Sequence, residues 1–253
     1  MTIDHIRAAA DRIAGRVHRT PVLTSTALNA MAGASLYFKC ENFQKVGAFK
    51  MRGATNAVLS LTDEEAARGV ATHSSGNHAQ ALALAARDRG VPAYIVMPSS
   101  APGVKRSAVE GYGAEIITCE PTLQAREETL EAVVARTGAA FVHPYDDDRI
   151  IAGQGTAALE LLVEVPDLNV VMTPVGGGGL LSGTALATRA LAPRARVIAA
   201  EPAGADDAAR SLAAGHIIPS VRPDTVADGL LTSLGKRNFP IIKESVTAIW
   251  TVD

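Results

Sequence analysis

Residues 169–193 read NVVMTPVGGGGLLSGTALATRALAP. The first seven form an apolar run of strand length, the pattern of a strand buried on both faces. Four consecutive glycines follow, Gly176 to Gly179. Small and aliphatic residues at helical spacing then run up to a proline. A strand that passes through glycine into a helix is half of a parallel crossover unit, and the rest of the chain repeats the rhythm. GVATHSS (69–75) leads into GNHAQALALAARDRG (76–90), which a glycine closes. VPAYIVMP (91–98) leads into GVKRSAVEGYG (103–113), and AEIITCE (114–120) into LQAREETLEAVVARTG (123–138), whose acidic residues crowd the first half. AFVHPY (140–145) leads into DRIIAGQGTAALELLVEV (148–165), and ARVIAAEP (195–202) follows the glycine helix as a further strand. The alternation predicts an α/β fold of parallel sheets flanked by helices. One sheet would need many strands, so we read two lobes. The larger takes residues 1–68 and 147–253, the smaller 69–146. The glycine and serine loops follow strand ends and can face one cleft, where open α/β sheets bind ligands.

Bulk properties narrow the function classes. The chain has 253 residues, 47% hydrophobic, 20% charged and only 4% aromatic, with a formal net charge of −2. That is an ordinary globular composition with a mainly aliphatic core. Lysines and arginines form no basic block, which excludes a nucleic-acid surface and a polybasic membrane contact. No apolar run approaches transmembrane length. The first 21 residues, MTIDHIRAAADRIAGRVHRTP, are amphipathic and lack the apolar region of a secretory signal. Cys40 and Cys119 are too few for a disulfide framework or a zinc site, and read as small buried hydrophobes in a cytoplasmic protein.

Three loops carry chemistry. In TPVGGGGLLSG (173–183) glycines let a ligand approach the backbone, and N–H groups at a helix start form an anion site suited to phosphate. No Lys-Ser/Thr pair follows, which excludes a Walker ATPase, and the spacing is not G-x-G-x-x-G. In SSGNHAQ (74–80) two hydroxyls, an amide and backbone donors suit a carboxylate; a capped helix start with Ser75 or Asn77 as cap fits equally. His73 and His78 lack a third metal ligand nearby. In ENFQKVGAFKMRGA (41–54) Lys50 starts a small-residue helix, KMRGATNAVLSL. The positive helix end and the apolar Phe49 and Met51 disfavour an ammonium there and lower its pKa, which suits a Schiff-base nucleophile. Lys45 lacks that setting and reads as a solvated charge. Phosphate cradle, tuned lysine and carboxylate loop are together what a pyridoxal phosphate enzyme of amino acids requires.

Five stretches in order, ENFQKVGAFKMRGA, SSGNHAQ, PVGGGG, AEPAGADD and TVADGL, resemble the fold type II pyridoxal phosphate enzymes. These are two-lobed and tryptophan synthase beta-like. Within them the sequence is most similar to the serine/threonine dehydratases (ammonia-lyases), the hydroxyaspartate dehydratases and serine racemase. The likeness runs from the N-terminal helix to the last residue. It implies that Lys50 is the cofactor-linked lysine and the base at Cα. Phe49 would line the cofactor ring, Asn77 would bond the pyridoxal 3′-oxygen, and Gly176, Gly177, Gly178 and Gly179 would hold the phosphate. Gly229 would pass beside the ring. Ser74, Ser75, Gly76, Asn77 and His78 would surround the substrate carboxylate, and in the racemase-like branch Ser75 is the acid/base opposite the lysine. Glu201 and Asp207, with the carbonyl of Ala205, match a divalent-cation site suited to Mg²⁺ or Ca²⁺. On the residues alone, that stretch reads as an acidic loop capping a helix. The resemblance further implies a homodimer, and a tail past Asp253 that brings a Ser- or Cys-containing loop to the pyridine nitrogen.

The expected reaction is β-elimination of water from serine, threonine or 3-hydroxyaspartate, giving a 2-oxo acid and ammonia. The alternatives are a serine racemase and a non-catalytic amino-acid- or nucleotide-binding relative on the same scaffold.

Overall fold

The strand–helix rhythm resolves into two parallel sheets and a short hairpin in the computed structural model, which describes residues 1–253. The hairpin pairs β1 (Val22–Leu23) with β2 (Phe38–Lys39), antiparallel. It follows helix α1 (Ile3–Ile13) and encloses α2 (Thr26–Ala32). Helices α3 (Lys50–Leu59) and α4 (Asp63–Ala67) lead into the first sheet. Its strands are β3 (Val70–His73), β4 (Ala93–Pro98), β5 (Glu115–Cys119) and β6 (Ala140–Phe141), in the order β5-β4-β3-β6. The crossovers are α5 (Asn77–Arg89), α6 (Gly103–Gly111) and α7 (Leu123–Thr137). Helix α8 (Asp148–Glu164) leads to the second sheet, β7 (Val170–Pro174), β8 (Arg196–Pro202) and β9 (Ala248–Val252), in sequence order. Between those strands run α9 (Gly179–Leu191), α10 (Asp207–Ala214) and α11 (Asn238–Ser245). Every pair within both sheets is parallel.

Local chemistry explains most boundaries. Thr122 accepts from the N–H of Ala125 at the start of α7, and Asp147 from that of Arg149 at the start of α8. Ile95, Val96 and Met97 of central β4 are fully buried, as a strand covered on both faces requires. The clearest departure from the sequence reading is β6. The apolar run AFVHPY pairs through Ala140 and Phe141 only. Pro144 has no N–H to offer a ladder, and the imidazole Nδ1 of His143 takes those of Tyr145 (3.3 Å) and Asp146 (2.9 Å). The chain therefore turns out of the sheet at the position where function gathers.

Three helices with small residues on their faces lock the site elements together. A Cβ on Gly153 of α8 would lie 2.6 Å from the Cα of Gly53 on α3, and one on Gly183 of α9 2.7 Å from the Cα of Gly155 on α8. The backbones of α3, α8 and α9 thus touch, and only glycine permits it. The start of α3 carries Lys50 and the start of α9 is the glycine run, so this packing fixes one relative to the other. A buried ion network adds to it. Arg52, fully buried on α3, meets Glu41 (Nε to Oε2, 2.8 Å) and Glu160 of α8 (Nη1 to Oε1, 2.7 Å), and Lys39 also reaches Glu160 at 2.6 Å. Two cations are balanced by two carboxylates, the condition for burying such charges.

Candidate active site

Lys50 is the first residue of α3, as the sequence predicts, with Phe49 in the cap position. Its Nζ donates to the carbonyl oxygen of Pro144 at 2.8 Å and lies 5.4 Å from the Phe49 ring centroid. Burial lowers its pKa from 10.5 to about 8. An amine so placed is neutral in a useful fraction near neutral pH and is a competent nucleophile and base. Lys45 sits apart, its ammonium 3.8 Å from Asp88.

Pro144 belongs to a short segment that the sequence reading assigned to a strand and that proves to be the hub of the site. The carbonyl of Val142 accepts from Nε2 of His78 (3.2 Å), that of Pro144 from Lys50, and the Tyr145 ring packs on Gly177. Three residues thus join the serine loop, the lysine and the glycine run. Because a carbonyl only accepts, His78 carries its proton on Nε2. Its ring is buried and its pKa falls to about 3, from desolvation first and then the field of Lys50. His143 falls to about 4, chiefly from desolvation. Both rings are neutral near pH 7. Burial pushes Tyr145 up to about 12, so its hydroxyl keeps its proton.

Around the glycine run the structure assembles a cradle of unused donors. All four glycines are buried. The N–H groups of Gly176, Gly177 and Gly178 meet no acceptor in the protein. Those of Gly179, Leu180 and Leu181 are the first three of α9, which have no partner inside a helix; the first bond is Ser182 N–H to Gly178 O at 2.8 Å. Buried N–H groups in a row are costly unless an anion satisfies them. Gly178 turns the chain at φ 93°, and Gly176 touches the loop of Gly229 and Leu230. Gly229 is therefore placed beside the glycine run.

The serine loop is arranged differently. Gly76, not Ser75 or Asn77, is the cap of α5, and no side chain caps this helix. The capped-start alternative is thereby set aside. Ser74 Oγ accepts from Gly76 N–H at 3.3 Å. Ser74, Ser75 and Gly76 are half-buried and Asn77 is exposed. The N–H groups of Asn77, His78 and Ala79 are again the free donors of a helix start. The His78 side chain, however, is turned into the protein toward Val142, so only its backbone faces the loop's own donors.

At the third location, Glu201 and Asp207 are buried and Ala205 lies beside them on the connecting turn. The Glu201 oxygens accept from Ala208 (2.9 Å) and Ala209 (2.8 Å) at the start of α10, which is the capping role. Asp207 Oδ2 accepts from Leu234 N–H at 3.1 Å, whereas Oδ1 is buried with no partner. Burial raises the pKa of Glu201 to about 7 and that of Asp207 above its ordinary value. An orphaned buried carboxylate oxygen next to a second carboxylate fits a hard cation.

Sheets of this parallel, helix-flanked kind, with a desolvated lysine and a buried anion cradle at helix starts, define a class of cofactor-dependent α/β protein. Residues 13–253 match the family model described as "Pyridoxal-phosphate dependent enzyme", and the chain belongs to that family. It is 54% identical over 250 residues to a beta-hydroxyaspartate dehydratase of Paracoccus denitrificans, covering 99% of this chain and 79% of that protein. Its structure superposes on that of serine racemase from Dictyostelium discoideum with a TM-score of 0.96 at 50% identity, covering 100% of this chain and 81% of that one. The threonine deaminase of T.th. gives 0.95 at 46% identity, with 100% and 82% covered. Pyridoxal phosphate is the cofactor of this family, and the residues present fit it: buried donors for a phosphate and an amine of lowered pKa for the aldehyde carbon. No helix is long and apolar enough to cross a membrane.

Sequence reasoning missed the hub, Val142 to Tyr145, and Asn238, which is fully buried against the glycine run. The one local signal was a proline at the end of an apolar run, which ends strand pairing.

Proposed function

We propose that this protein is a pyridoxal phosphate-dependent ammonia-lyase that eliminates water from a β-hydroxy amino acid, with 3-hydroxyaspartate, serine and threonine as the candidate substrates. The products are a 2-oxo acid and ammonia. The observation that carries the reading is the hub: it joins a lysine of pKa about 8 to two helix starts with free donors. The beta-hydroxyaspartate dehydratase and the threonine deaminase named above point to the same chemistry, and the serine racemase to the second reading below. When bound, the cofactor supplies the conjugated system that accepts the charge left at Cα. The N–H groups of Gly176 to Gly179 hold its phosphate. Phe49 and Gly229 would lie along its ring, and Asn77 would bond the ring oxygen. Ser74 to His78 hold the substrate carboxylate through backbone donors and hydroxyls. Lys50, steadied by the Pro144 carbonyl, removes the Cα proton as the neutral amine. Incubation with L-serine, L-threonine and both 3-hydroxyaspartate diastereomers, with and without Mg²⁺, followed by oxo-acid release and the chirality of the recovered substrate, tests the assignment. Lys50→Ala loses the covalent link to the cofactor, so dialysis strips its absorbance near the visible edge; an absorbance that survives dialysis as in the parent would sink the lysine's role.

Racemisation of serine is the second reading, favoured by one feature. The Ser75 hydroxyl sits half-buried in the carboxylate loop and has no hydrogen-bond partner, so it is free to hand a proton to Cα. Ser75→Ala then loses racemisation and keeps most elimination. Equal loss of both rejects that division of labour.

The same proposal includes a divalent cation, Mg²⁺ or Ca²⁺, on Glu201, Asp207 and the Ala205 carbonyl. It includes the division into lobes at 1–68 with 147–253 and at 69–146, supported by the two separate sheets. Self-association as a homodimer is supported by α2, which buries no residue, and by exposed Leu23, Leu28, Met31, Tyr37 and Phe38 around it. Sedimentation of the intact chain tests this. A cytoplasmic location rests on the two free thiols alone.

A further inference from the structure

Free donors at the glycine run bind an anion well only if they point the same way, and glycine peptides are the least able to hold a direction by themselves. Something must orient them. The Gly177 carbonyl accepts from two groups, Gly235 N–H at 3.0 Å and Asn238 Nδ2 at 2.9 Å. In a trans peptide the carbonyl and the following N–H point in opposite directions. Pinning the Gly177 oxygen on the side of α11 therefore turns the Gly178 N–H to the other side, where the protein offers it no acceptor.

Asn238 is fully buried, and its second Nδ2 hydrogen goes to the Tyr145 carbonyl at 3.1 Å. With two carbonyls as partners, that end of the amide must be the NH₂. Its Oδ1 is buried without a donor, so the side chain is placed for what it gives rather than for what it accepts. Its Cβ also fills the space a Gly178 side chain would need, 2.9 Å away. The backbone of the same residue is approached from α9: Ser182 Oγ lies 3.5 Å from the Asn238 carbonyl.

We infer that Asn238 is a positioning residue for the phosphate cradle: by holding the Gly177 and Tyr145 carbonyls it aims the glycine N–H groups at the phosphate and seats Tyr145 against them. This rests on the proposed reading of the glycine run as the phosphate site. The cofactor group concerned is the phosphate alone, so the effect shows in the difference between two ligands that share a ring.

The test is made in Lys50→Ala, where binding is reversible, by equilibrium dialysis of pyridoxal phosphate and of pyridoxal. Asn238→Leu keeps the size and removes both donors; Asn238→Ser is smaller and keeps one. The expected result is a loss of about tenfold or more in pyridoxal phosphate affinity for Leu, and a smaller loss for Ser, with pyridoxal affinity unchanged. A residue that merely supports the fold would move both ligands together, and that outcome overturns the proposal, as does an unchanged preference for pyridoxal phosphate. If the Asn238-unmodified protein itself shows no such preference, the phosphate reading of the run fails instead, which is a separate result. Should Asn238→Leu not fold, Asn238→Ser is read alone. The unmutated chain gives an independent measurement. In nitrogen-resolved NMR, the Asn238 side-chain protons exchange slowly, and inorganic phosphate shifts the Gly178 amide. Solvent-like exchange at Asn238, or an unmoved Gly178 amide beside shifted Gly177 and Gly179, overturns the assignment.

Discussion

The starts of α9 and α5 offer the same chemistry, free N–H groups at the positive end of a thirteen-residue helix, and are finished in opposite ways. At α9 the protein presses on the run from every side. Tyr145 packs on Gly177 and Gly179, Asn238, Leu234 and Ile242 on Gly178, and Leu230 with Thr232 on Gly176. At α5 a Cβ on Gly76 would meet nothing within 4 Å, and Asn77 is exposed. A receptacle packed to interior density fits one shape and holds it. An open loop admits groups of different size and lets them leave. On the proposed reading of the two sites, cofactor retention belongs to the first region and substrate range to the second.

Matched substitutions break that comparison most directly. A methyl at Gly177 falls inside the Tyr145 ring, and the ring cannot retreat without dragging the hub that holds Lys50. Gly177→Ala is expected to cost about 2–3 kcal/mol in denaturant unfolding and to abolish cofactor loading. Gly76→Ala has open space and an ordinary φ of −125°, so stability stays within about 0.5 kcal/mol and the cofactor spectrum survives. Only substrate KM should respond. If the two variants behave alike, the contrast between a closed and an open helix start is wrong.

Lys50 lies between the two regions and carries a cost for its position. In the unfolded chain it keeps its proton to about pH 10.5, and in the folded chain only to about pH 8. Between those values the unfolded state binds more protons, so stability of the cofactor-free protein rises with pH; below about pH 8 the cost is present in full. Lys50→Met removes the buried cation. It is expected to stabilise the cofactor-free chain near neutral pH by about 1–2 kcal/mol, less than the full shift implies because the residue keeps partial contact with water. The rise with pH disappears with it. A destabilised variant would mean that the Pro144 contact contributes more than desolvation costs.

How far these features could be read in advance depends on how local their causes are. The helix start at Lys50, the glycine turn into α9 and the parallel strands follow from periodicity and glycine placement within a few residues. The hub does not. AFVHPY has the apolar density of a strand, and nothing near Pro144 says that its carbonyl meets a lysine 94 residues earlier in the chain. Arg52 is similar. It reads as a polar residue in a small-residue helix, yet it is fully buried because Glu160 lies 108 positions away. Asn238 follows a turn and looks like a helix start, and its buried amide contacts become visible only when α9 is laid against it. The reading at Ser75 and Asn77 went the other way: a cap was locally plausible, but Gly76 took that place.

The smallest expected effect separates the two helix starts by a third route. Leu234 donates its N–H to Asp207 and its neighbour Gly235 donates to Gly177, so the candidate cation site is tied to the closed start within one residue. No such tie reaches α5. Chelation should therefore loosen cofactor retention and leave substrate KM at saturating cofactor nearly unchanged. The dependence on pH has a definite sign. Burial raises the pKa of Glu201 to about 7, so below that value the carboxyl holds a proton that a cation must displace. Cation affinity is expected to weaken as pH falls through about 7, by at most about tenfold per unit for one proton released, and to level off above it. Calorimetric titration of Mg²⁺ or Ca²⁺ in buffers of different ionisation enthalpy counts that proton. Glu201→Gln carries no titrating group, so its weakened binding should be flat across the same range. A parent protein that is also flat would show that no Glu201 proton is displaced on binding, against Glu201 as a ligand that titrates near 7, and would leave the closed start held by the side chains packed on it, Tyr145, Asn238, Leu234 and Ile242 among them.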